Sequence, residues 1–102
     1  MTAYEAIEAI KEMVRHDCGG RRNEAKVAEV RRLLSHVPSN ITIYAEGKRD
    51  DIQRWAEIYW SPRRHQRYGG TSQVAVSIFG ACDVLRRNLP REETTSEFTP
   101  KA

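Results

Sequence analysis

Apolar residues recur at helical spacing in separate blocks of this chain, and glycine or proline stands between the blocks. Gly19-Gly20, Pro38-Ser39-Asn40, Ser61-Pro62 and Gly69-Gly70 are the breaks. Segments so punctuated have the right length for short amphipathic helices, each burying one stripe. The pattern predicts a mainly α-helical protein, a compact bundle of about four helices. Residues 1–90 read as one domain, in keeping with a total of 102. Residues 91–102 lack periodicity and are expected to form a flexible tail.

Thr2 and Glu5 have the spacing of a capping box, in which hydroxyl and carboxylate satisfy each other's backbone N–H groups. Ala3, Ala6, Ile7, Ile10, Met13 and Val14 follow on one face, with Glu5, Glu8, Glu12 and Arg15 on the other. A second helix is expected from Asn23, a good N-cap, with Val27, Val30, Leu33, Leu34 and Val37 as its stripe. The short glycine linker should fold these two helices into an antiparallel hairpin.

Residues 41–45 are open to two readings. Ile41-Thr42-Ile43-Tyr44 alternates like a strand, but no partner strand is evident. Ile41, Tyr44 and Ala45 also align with Ile52, Trp55, Ala56 and Tyr59 at helical spacing. A helical or irregular start is preferred, although a helix from Asn40 carries Gly47 inside it at about 1 kcal/mol relative to Ala. From Asp50 or Asp51 to Trp60 the segment reads as helix, its acids at the favourable dipole end. The last helix should run from Thr71 to about Asn88, capped by Thr71. Val74, Ile78, Ala81, Cys82, Leu85 and Leu89 form its main stripe, and Val76, Phe79 and Val84 widen it. Apolar residues nearly all round a helix mark one packed on several sides, so this helix is expected at the centre.

The segment Gly70-Thr71-Ser72-Gln73-Val74-Ala75-Val76-Ser77-Ile78-Phe79 resembles the turn and recognition helix of helix-turn-helix DNA-binding proteins. The resemblance covers about a tenth of the chain. It implies that Val76 and Phe79 pack inward, that Ser72, Gln73, Ser77 and Arg86 face a major groove, and that Gln73 reads adenine. Residues 62–69 depart from that family, being almost all polar where its first helix should lie. Val74 and Ile78 are apolar where it exposes side chains. A buried helix is the better reading.

Function is less legible than architecture. The richest stretch is Pro62-Arg63-Arg64-His65-Gln66-Arg67-Tyr68-Gly69-Gly70, leading into Thr71, Ser72 and Gln73. Three arginines beside a helix start suit an anion, because free N–H groups and the helix dipole favour negative charge. Trp60 and Tyr68 flank the cations, a combination suited to binding hot spots and to base stacking. The expected partner-binding set is therefore Trp60, Arg63, Arg64, Arg67, Tyr68, Thr71, Ser72 and Gln73. A net charge of +3, with thirteen arginines against four lysines, permits an acidic partner without requiring one.

Other chemistries lack a pattern. His16, Cys18, His36, His65 and Cys82 have no zinc-site spacing. Cys82 falls on an apolar stripe, and Cys18 follows a helix end that disfavours thiolate. No Walker spacing, no nucleophile–base set and no cofactor motif is evident. Neither a membrane span nor a signal peptide is read, and the cysteine usage suits a cytoplasmic protein. The sequence thus predicts a non-enzymatic binding module without cofactor or metal, directed at nucleic acid or an acidic protein of a nucleic-acid-handling complex. The alternative is a small inhibitor or adaptor of the mobile-element type, docking on a larger protein through Trp60 and its flanking arginines.

Overall fold

The structure is a computed structural model describing residues 1–89; the tail expected at 91–102 lies outside the described residues. Four α-helices make up the fold: α1, Ala3–Arg15; α2, Glu24–Leu34; α3, Ile43–Tyr59; and α4, Thr71–Arg87. A 3₁₀ helix, Arg64–Tyr68, joins α3 to α4. No strand occurs among the described residues.

Local chemistry accounts for the boundaries. The Thr2 hydroxyl accepts from Glu5 N–H at 3.1 Å, and Thr2 N–H donates to Glu5 Oε1 at 2.9 Å, completing the capping box. Asn23 caps α2 through Lys26 N–H at 3.1 Å. Thr42 caps α3 through Ala45 N–H at 3.0 Å, which makes residues 43–45 helical and excludes the extended alternative. Gly47 sits inside α3 on an exposed face, with open space where a side chain would be.

The main packing follows a ring: α1 on α2 and α4, and α3 on α2 and α4, with the end of α3 also reaching α1 through Tyr59. The α3–α4 pair is the most extensive, and the 3₁₀ helix leans on both. Buried apolar side chains fill the middle, among them Ile7, Ile10, Val30, Leu33, Ile52, Ala56, Val74, Ile78 and Leu85. Among the described residues no polar or charged residue other than tyrosine and tryptophan is buried, as the cost of unpaired polar groups requires. Lys11 of α1 reaches Asp83 of α4 at 2.9 Å, and Arg86 reaches Glu8 at 2.9 Å, fastening the same pair from outside.

Three expectations about α4 change. Gly70, not Thr71, is its N-cap residue, and Thr71 begins the helix. The helix packs on α1, α3 and the 3₁₀ helix, but Val76 is 59% exposed, so its apolar surface is not covered all round. The helix-turn-helix resemblance also fails. Val76 points outward where the family packs it inward, while Val74 and Ile78 are fully buried. Arg86 is engaged by Glu8, and the element before α4 is a five-residue 3₁₀ turn.

Candidate functional site

The loop between α1 and α2 folds against the end of α3 and sets the geometry of this region. Gly20 N–H donates to the Tyr59 carbonyl at 2.8 Å. The Tyr59 hydroxyl donates back to the carbonyls of Val14 and Asp17. The Trp60 indole Nε1–H donates to Asp17 Oδ2 at 2.8 Å, and Gly19 N–H donates to Asp17 Oδ1 at 3.1 Å. These bonds, the Trp60 bond first and Gly19 next, hold the Asp17 carboxyl below the usual carboxylate range. Gly19 has φ of +67°, and a β-carbon there would lie 2.6 Å from the Tyr59 ring. Only glycine lets the loop come this close.

This arrangement removes Trp60 from the candidate surface. Trp60 is the residue after α3, only 3% exposed, and its ring meets Tyr59 edge to face at 5.0 Å. It is a core residue that pins the loop, and it cannot offer a face to a partner.

The arginines stand differently. Arg63, Arg64 and Arg67 are all exposed on the 3₁₀ turn. Among the described residues none of them lies within ion-pair distance of a carboxylate. By contrast Lys11, Arg15, Arg22, Arg31, Arg32, Lys48, Arg49, Arg54 and Arg86 each have one. The cause is visible in the chain: no Asp or Glu occurs between Glu57 and Asp83. Ser61 steadies the turn by accepting from Arg64 N–H at 3.2 Å. His65 is half-buried within it, its Nδ1 the one buried side-chain nitrogen or oxygen without a hydrogen bond among the described residues.

Tyr68, 46% exposed, ends the turn and meets the half-buried Trp55 of α3 edge to face at 5.0 Å. The Arg54 guanidinium lies 5.8 Å from the Trp55 ring. Gly69 and Gly70, at φ of +91° and +93°, then turn the chain into α4. No side chain caps that helix, whose first intrahelical bond runs from Val74 N–H to the Gly70 carbonyl at 3.1 Å. Ser72 and Gln73 are exposed on its first turn. Thr71 is half-buried, with Gly20 so near that a β-carbon there would sit 3.3 Å from its methyl group.

The fold adds cations that the sequence reading did not include. The Gly19–Gly20 loop brings Arg21 and Arg22 to this end of the molecule, and Arg21 also has no carboxylate partner among the described residues. Arg22, Arg31 and Arg64 line one cleft of about 360 Å³, with Glu24, Glu57 and the edge of Trp60. The signal was the Arg21-Arg22 pair after two glycines, but only tertiary folding sets it beside the 3₁₀ turn.

Such a surface can bind anions through charge-assisted hydrogen bonds. Among the described residues no three His, Cys, Asp or Glu side chains gather as a metal site. None of their helices is long and apolar enough to cross a membrane. Burial pushes the Cys82 thiol up to about 12, which makes it a packing residue. No protein-family model, curated protein or solved structure matches the chain.

Proposed function

We propose that this protein is a non-catalytic binding module whose arginine surface engages the phosphate backbone of nucleic acid. The observation that carries the reading is the contrast in pairing: among the described residues Arg63, Arg64 and Arg67 have no carboxylate within ion-pair distance, while most other cations do. An unneutralised guanidinium keeps its donors available for a phosphate, and arginine's planar fork suits bidentate contact. The loop carrying Arg21 and Arg22 meets this region, with Arg22 and Arg64 lining one cleft. Docking on an acidic protein is the weaker reading, because the buried Trp60 is lost as its anchor.

Fluorescence anisotropy with a labelled oligonucleotide at rising salt tests the proposal. Binding should weaken with a slope of about one unit per phosphate contact. The triple variant R63A/R64A/R67A should flatten that slope by about two to three units. Absence of binding at low salt, or binding indifferent to both salt and the triple substitution, would refute it.

A further inference from the structure

Resting on that reading, we infer that the nucleic acid is single-stranded, and that Tyr68 stacks on one of its bases. The chemistry of the surface favours this over a duplex. Tyr68 directly follows Arg67, is 46% exposed, and is braced edge to face by Trp55 at 5.0 Å. A ring already fixed by a neighbour loses little freedom when a base stacks on it. Stacking needs a base whose face is open, which a single strand supplies and a paired duplex does not.

Duplex readout lacks a suitable element. Every α-helix of the fold packs on at least two others, and the helix that follows the arginines buries Val74 and Ile78. The 3₁₀ turn and the residue before it carry exposed cations and an exposed aromatic ring on one short segment, the combination by which a flexible strand is held without reading its sequence. Arg63, Arg64 and Arg67 would hold the phosphates that flank the stacked base, with Gln73 exposed beside Gly69. Both DNA and RNA offer this chemistry.

The test compares a labelled thymidine oligonucleotide of about fifteen nucleotides, the matching uridine oligonucleotide and a DNA hairpin of equal charge, each at about 50 mM salt. The single strands should bind about tenfold more tightly than the hairpin. Tyr68→Ala should weaken single-strand binding about tenfold and leave hairpin binding within twofold. Tyr68→Phe should restore the wild-type value, and circular dichroism of each variant excludes a folding defect. Preference for one of the two single strands assigns the sugar and supports the inference. Equal or tighter hairpin binding, or single-strand binding indifferent to Tyr68→Ala, overturns the inference yet leaves the arginine reading standing. Failure of all three probes to bind overturns both.

Discussion

Trp60 and Asp17, 43 residues apart in sequence, are joined by an indole-to-carboxylate hydrogen bond of 2.8 Å. It ties the loop after α1 to the residue after α3. Trp60→Phe keeps most of the ring and removes the donor. A hydrogen bond to a charged group contributes about 1.5–3 kcal/mol, so the variant should lose stability of that order. In a domain of this size the melting temperature should fall by about 6–20 °C. Thermal unfolding followed by circular dichroism would measure this, and an unchanged transition would show that the bond is dispensable.

The same contact makes stability depend on acid. The folded-state pKa of Asp17 is depressed by Trp60 and Gly19, so the unfolded chain takes up its proton first as pH falls. The contribution of Asp17 is therefore present above about pH 4 and is lost as pH drops through the lower folded value. Urea midpoints between about pH 6 and pH 2.5 should fall less steeply in Asp17→Asn than in the wild type. Parallel curves would contradict this assignment.

Gly19→Ala should be severely destabilising. It places a β-carbon 2.6 Å from the Tyr59 ring, on backbone at φ of +67°. Left-handed strain costs roughly 1–2 kcal/mol and overpacking a further 1–3 kcal/mol. Gly47→Ala, in open space within α3, should instead stabilise by about 0.5–1 kcal/mol. Opposite shifts in the denaturant midpoint would confirm the two environments, and equal shifts would refute them.

The two cysteines should separate by reactivity. Cys18 is exposed, whereas Cys82 is fully buried with its thiol pushed up to about 12. Alkylation of the native protein near pH 8, read by intact mass, should add one label quickly and the second only in denaturant. Two fast additions without denaturant would mean that α4 does not bury its stripe as described.

Most of the fold was legible because its cues are local. The Thr2–Glu5 box, the Asn23 cap and the stripes of α1 and α4 depend only on neighbours along the chain. Thr42 was the missed cue: its hydroxyl caps α3 and resolves residues 41–45 as a helix start. Tyr44, aligned with the α3 stripe, is 59% exposed on the first turn, where its neighbour Ala45 is the residue that enters the core. Trp60 misled for a further reason. It follows the helix, at φ −96° and ψ 53°, so its angle on a helical wheel has no meaning. The loop that buries it comes from forty residues earlier, and a sequence carries no mark of that meeting. Arg63, Arg64, Arg67 and Tyr68 stood out because a run of arginines leading into two glycines and a helix start is a local pattern, and the structure leaves all four exposed. Arg21 did not, because its relation to them exists only after folding.

The Gly20–Tyr59 bond joins one main-chain group to another. No side-chain atom takes part in it, yet the close approach that makes it needs Gly19 and Gly20, at φ of +67° and +74°, so the join between this loop and the end of α3 rests on two residues with little room to change. Residues on the exposed rim can then change in number and identity while the platform carrying them keeps its shape. A fold wired this way concentrates its constraint in a pair of glycines and leaves its outer face free to vary without renegotiating how the chain closes on itself.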